Sequence, residues 1–208
     1  MSQRDTKATP SGRRSAPSKK PSPAKKSEWA LLVYKVPSEP SRVRVSVWRE
    51  LKRLGALYLQ QAACILPARP ETIEALANIR ARIEELGGTS FYFEVPSQGE
   101  ATDAVLIEGF REMAAKDYAE IVEECETKFV KEIEFERFRE NYTYEEAEEI
   151  RQDFEKLQRW HARVISRDWF ASPGREEVES WLEQCLALLQ AFEEDVYERV
   201  GDPDISKD

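Results

Sequence analysis

Residues 29–36 read WALLVYKV, a run of apolar and β-branched side chains that Pro37 ends. Such a run reads as a buried central strand. Beyond it Pro40-Ser41 opens a helix, with Ser41 as the expected N-cap, and Gly55 closes it. Within that helix Val43, Val47, Leu51 and Leu54 step by 4, 4 and 3, which places them on one face. Ala56–Gln60 and Ala63–Leu66 then read as a strand pair ended by Pro67. A second helix runs from Pro70 to Leu86 on the stripe Ile73, Leu76, Ile79 and Ile83, with Gly87-Gly88 as its stop. Ser90–Val95 (SFYFEV) alternates as a last strand. The order strand–helix–strand–strand–helix–strand over residues 28–98 is that of a split-βαβ, ferredoxin-like domain.

Residues 99–200 read as helical, which makes the fold class α+β. Leu106, Phe110, Met113, Tyr118, Ile121 and Cys125 lie at helical spacing through a long acidic helix. A capping-box pattern, Thr143-Tyr144-Glu145-Glu146, opens the next one. Its seam is Ala147, Ile150, Phe154, Leu157, His161 and Val164. After the break at Ser172-Pro173-Gly174, the last helix carries Val178, Leu182, Cys185, Leu189, Phe192 and Val196. Two such seams joined by a short loop predict an antiparallel helical hairpin, packed on the sheet or used to form a dimer.

Charge is strongly segregated along the 208 residues. The net charge is −9, but residues 1–27 carry +7, residues 29–98 carry +2 and residues 99–208 carry −17. A polyanion is therefore drawn to the N-terminal half and repelled by the C-terminal half. Residues 1–27, rich in Lys, Pro and Ser, are expected to be a disordered basic tail, and 201–208 a flexible end. No run approaches a membrane span, and no apolar stretch marks a secretory signal. The three cysteines, Cys64, Cys125 and Cys185, are widely spaced and form no CxxC. That excludes a disulfide scaffold and fits a reducing, cytoplasmic setting without membrane association.

Chemistry-bearing residues are few. On the first helix Arg42, Arg49 and Arg53 recur at 7 and 4, flanked by Arg44 and Lys52, away from the apolar face. Five cations against the single acid Glu50 can grip phosphates. The competing structural reading is a solvated face that pairs with the acidic C-terminal half. Glu145, Glu149 and Asp153 share a face beside Glu146 and Glu148, and with one histidine in the chain they read as solvated carboxylates rather than a metal bundle. His161 on its apolar seam reads as a buried, hydrogen-bonded side chain, and the cysteines as small core residues. No nucleophile motif and no phosphate-cradling glycine loop is present. The expectation is a protein that is not an enzyme, with no cofactor and no metal.

Several strings carry a family likeness. Trp29-Ala30-Leu31-Leu32-Val33, Pro37-Ser38-Glu39, Arg42-Val43-Arg44, Val47-Trp48-Arg49, Leu51-Lys52-Arg53-Leu54-Gly55-Ala56 and Ile65-Leu66-Pro67 resemble the opening of the ChrB chromate-resistance family. Lys116-Asp117-Tyr118-Ala119-Glu120-Ile121, Arg167-Asp168-Trp169-Phe170 and Pro173-Gly174 resemble later signatures of its N-terminal domain. The resemblance implies a regulator of a chromate efflux transporter that binds promoter DNA, with sensing attributed to a further C-terminal domain. The first half is also similar to the ferredoxin-like middle domain of PaaX-type repressors and to the small CRISPR adaptation endonuclease subunit. Those nucleases hold a metal with an aspartate at the end of strand one; here Lys35 stands there, and a lysine ligates no divalent cation.

Three functions follow as expectations. The first is a DNA-binding transcriptional regulator that grips phosphates through Arg42, Arg44, Arg49, Lys52 and Arg53 and dimerises through its C-terminal helices. The second is a non-catalytic interaction module for a separately encoded sensor domain. The third, disfavoured by Lys35, is a metal-dependent nuclease.

Overall fold

A computed structural model describes residues 27–201, so the predicted basic tail and flexible end lie outside the described residues, apart from Ser27 and Gly201. The elements are β1 (Ser27–Lys35), α1 (Ser41–Arg53), β2 (Leu57–Gln60), β3 (Ala63–Pro67), α2 (Pro70–Glu85) and β4 (Thr89–Pro96). Helices α3 (Glu100–Glu124), α4 (Val130–Phe138), α5 (Tyr144–Ile165) and α6 (Arg175–Val200) follow, with a π-helical turn, Cys125–Phe129, joining α3 to α4. The chain is α+β and mostly helical.

The four strands form one antiparallel sheet in the order β2-β3-β1-β4, with β1 central as its apolar run requires. Alternation along β1 splits its side chains between two faces. Ala30, Leu32 and Tyr34 enter a core with Val47 and Leu51 of α1 and with Leu76, Ile79 and Ile83 of α2. Trp29 points the other way and packs with Ile65 of β3 and Phe110 of α3. Its ring stacks on Phe110 at 6.1 Å, and Phe170 closes against Phe110 at 5.4 Å. The sheet is thus covered by α1 and α2 on one face and by the first half of α3 on part of the other.

The helical half has its own core. The seam Ala147, Ile150, Phe154, Leu157 and Val164 of α5 and the positions Val178, Cys185, Leu189, Phe192 and Val196 of α6 are buried against α3, the π turn and α4. Both seams are therefore filled within one chain. Contacts of Arg151 with Glu193 and of the Tyr144 hydroxyl with the Gly201 carbonyl set α5 and α6 antiparallel, as the spacing predicts.

Two caps depart from expectation. Pro40, not Ser41, is the N-cap of α1, and no side chain caps that end. At α5 the Thr143 hydroxyl accepts the Glu146 N–H at 3.2 Å, but Glu146 turns to Asn141 Nδ2, also at 3.2 Å, so half of the capping box forms.

The turn into α3 is tied by one carboxylate. Asp103 accepts the Trp29 indole N–H at 2.9 Å and the Ser97 hydroxyl. These bonds, that of Ser97 foremost, hold the Asp103 carboxyl below its ordinary 3.8. A depressed carboxylate contributes stability that is complete above the unfolded value and lost as pH falls through the folded one. Trp29 fluorescence is expected to respond to acid below pH 3.8. Asp103→Asn should remove that response, and identical acid profiles for the two proteins would contradict it.

Candidate nucleic-acid interface

Helix α1 exists because Val43, Val47 and Leu51 bury against the sheet, at 9%, 0% and 0% exposure. Its end is fixed by Gly55, whose N–H reaches the Lys52 carbonyl at 3.1 Å while the Ala56 N–H reaches Leu51 at 3.0 Å. Lys52 and Arg53 in the last turn also suit the negative end of the helix dipole.

The five expected cations all stand on the exposed surface of this helix. Arg42, Arg49 and Arg53 form one stripe, Lys52 lies beside it, and Arg44 leans towards the end of the sheet. The Lys52 ammonium sits 5.4 Å from the ring centre of the exposed Trp48. The pairing with the acidic half is not found: among the described residues none of the five makes an ion pair with a carboxylate. The only acid on α1, Glu50, is taken by Arg82 of α2 at 2.7 Å, and Arg82 also reaches the Ser46 hydroxyl. Elsewhere surface cations are commonly matched, as in Arg137–Asp195 at 3.0 Å and Arg159–Glu155 at 3.1 Å.

A groove of about 510 Å³ runs beside α1, lined by Tyr34, Lys35, Arg44, Val45, Trp48 and Gln61 among others. Tyr34 lies at its floor, hydroxyl to hydroxyl with Tyr58 at 3.0 Å, and burial raises its pKa. Lys35 therefore adds a sixth cation beside the five, at the edge of the groove. A helix face of unpaired cations next to an apolar-floored groove suits a phosphate backbone.

The other candidates divide. Glu145, Glu148, Glu149 and Asp153 are exposed, as expected of a solvated face. Glu146 is not: it lies with Glu132 and the buried Glu136, their carboxylate oxygens within 4.8 Å of one another. Burial raises the Glu146 carboxyl, while Glu136 is held by Arg139 at 3.2 Å and Asn141 at 2.5 Å. His161 is buried edge-on to Tyr118, and burial lowers its pKa. No hydrogen-bond partner to its Nε2 is found among the described residues, unlike the satisfied side chain expected. All three cysteines are buried and free; burial pushes Cys64 up to about 12, and the Cys125 and Cys185 thiols share a hydrogen bond across the core.

The later signature strings, which sequence reading left without a role, meet in space. Arg167 donates to Asp117 at 2.7 Å, with both side chains about five-sixths buried. The Tyr118 hydroxyl donates to Asp168 at 3.1 Å, and Asp168 also accepts the Ser172 N–H at 3.0 Å and its hydroxyl at 2.7 Å. Trp169 lies under the Arg69 guanidinium at 5.1 Å, and Arg69 reaches its carbonyl. The loop between α5 and α6 thus clamps α3 to the sheet directly behind Gly55, at the end of α1. These residues are structural supports of the α1 platform, joined across 50 residues of sequence that no local pattern could bridge.

A family model described as Protein ChrB, N-terminal, matches residues 44–203. The chain belongs to the ChrB N-terminal family. The match takes in Arg44, Arg49, Lys52 and Arg53 and both halves of the clamp, while Arg42 lies just ahead of it. It places this ChrB-family chain among proteins associated with chromate resistance. No curated protein and no solved structure matches it. No described helix of the ChrB-family chain is long and apolar enough to cross a membrane.

Proposed function

We propose that this ChrB-family protein is a DNA-binding transcriptional regulator or accessory factor of chromate resistance, acting without catalysis or a cofactor in the cytoplasm. The single observation that carries the reading is the face of α1, where Arg42, Arg44, Arg49, Lys52 and Arg53 are exposed without a carboxylate partner among the described residues. Five cations that no described carboxylate compensates, on one helix of a chain of net charge −9, maintain a local positive field that attracts an anion. The ferredoxin-like reading of residues 28–98 is supported by the element order βαββαβ and the strand order β2-β3-β1-β4. Chromate sensing belongs, on this reading, to a separate domain.

Phosphate contacts release counterions, so each one adds about one unit to the slope of log affinity against log salt. The variant Arg49→Ala/Arg53→Ala is expected to weaken binding to every duplex and flatten that slope by about two units. Unchanged affinity and slope in a fluorescence-anisotropy titration would remove α1 from the interface.

A further inference from the structure

The sheet has two outer strands, the short β2 and the longer β4. Strand β4 is paired on one side with β1, and among the described residues no further strand lies against the other side. On the face shared with Trp29 its side chains are Phe91 and Phe93, exposed at 62% and 51%. Their β1 partners Val33 and Leu31 lie beneath them, beyond the part of the face that α3 covers. Eight residues long, β4 carries no lysine, no proline before its last position and no register break beside the phenylalanines. Proteins ordinarily blunt an exposed edge with such devices, and an edge without them is a template for another strand.

We infer that β4 pairs antiparallel with β4 of a second copy of this chain, joining two sheets into one of eight strands. The strand is complementary to itself. A two-fold axis at Tyr92 sets Phe91 of each copy against Phe93 of the other, and Ser90 against Glu94. Charge is complementary too: Arg80 of α2 stacks on Tyr92 at 5.6 Å and reaches Ser90 Oγ at 3.4 Å, so it stands beside the position the other copy's Glu94 takes. Ala77 and Ala81 of α2 are exposed and small, so neither adds bulk to the helix that lies over this edge. The residues that precede β1 make a poor cover for the aromatic pair, since residues 1–26 hold only Met1, Ala8, Ala16 and Ala24 as apolar side chains. Such a dimer sets both α1 helices on the same side of the joined sheet, although the pairing stands or falls independently of nucleic-acid binding.

The test is the mass of the full chain by sedimentation equilibrium, for the wild type and for Phe91→Lys, Phe93→Lys and Phe138→Lys. The monomer mass is 24.1 kDa. The wild type is expected at twice that value. Each β4 substitution occurs twice across the axis and should raise the dimer dissociation constant by about 100-fold or more. All three positions are exposed, so circular dichroism should show the fold retained. Phe138→Lys, on the helical half, should leave the mass unchanged. A monomer at about 100 μM overturns the inference. So does a dimer that survives both β4 changes, or one that Phe138→Lys breaks. Binding of single-stranded oligonucleotide to a monomer, abolished by Phe91→Lys, would assign the face to a different occupant and likewise overturn it.

Discussion

Gly55→Ala is expected to destabilise the fold by about 2–5 kcal/mol, the sum of a left-handed backbone penalty and an overpacking cost. The backbone there has φ of +75°, and a Cβ would stand 2.7 Å from the Arg167 Cβ, with the Arg167 carbonyl oxygen and Trp169 Nε1 both at 3.0 Å. None of these is the free end of a flexible side chain. The residue that ends α1 must therefore be small enough for the α5–α6 loop to pass behind it. Urea denaturation should show a lower midpoint at unchanged slope, whereas an unchanged midpoint would mean that the loop can move away without cost.

Asp168→Ala should cost at least as much, by a different route. Its carboxylate is the acceptor for the Tyr118 hydroxyl and for the backbone N–H and hydroxyl of Ser172. Tyr118 and Ser172 are buried, at 0% and 6% exposure, so their donors are left without acceptors. Each orphaned buried donor costs about 1–3 kcal/mol, so the three together cost about 3–9 kcal/mol. Tyr118→Phe removes donor and demand together and should cost less, about 1 kcal/mol. A Tyr118→Phe effect equal to that of Asp168→Ala would contradict the role given to the carboxylate. Near-additivity of the Asp168 change with Gly55→Ala is not expected, because both loosen the same loop.

What could be read from sequence was what is local. Pro37, Gly55 and Gly87-Gly88 punctuate the first half, and the stripes Val43-Val47-Leu51 and Leu76-Ile79-Ile83 are buried as their spacing predicts. Residues 126–138 read as helical with the rest of 99–200, but their apolar stripe was not legible. The buried positions Ile121, Cys125, Phe129 and Ile133, running from α3 into α4, step by four throughout, which drifts about 40° per step on a 3.6-residue helix. The π turn at Cys125–Phe129 absorbs that drift and returns Phe129 and Ile133 to the core. Periodicity tuned to a regular helix loses the stripe at this point.

The basic face of α1 was legible for the same reason as its apolar face, since both follow from one period. That its cations stay unpaired was not, because it depends on where the acidic helices settle. They settle beneath and beyond the sheet, where their own cations are largely matched by their own carboxylates, as in Lys128–Glu124 and Arg175–Glu179. The clamp of Asp117, Tyr118, Arg167 and Asp168 was visible only as strings, because a tertiary hydrogen bond leaves no trace in spacing.

The most direct test of the central claim uses DNA from upstream of the protein's own gene and a scrambled duplex of equal length. Both are titrated by fluorescence anisotropy, at two salt concentrations, with the full chain and with a chain that lacks residues 1–26. The account predicts that preference for the native DNA survives the truncation and is lost with Arg49→Ala/Arg53→Ala. Binding that disappears with residues 1–26, or that ignores sequence in both chains, would contradict it.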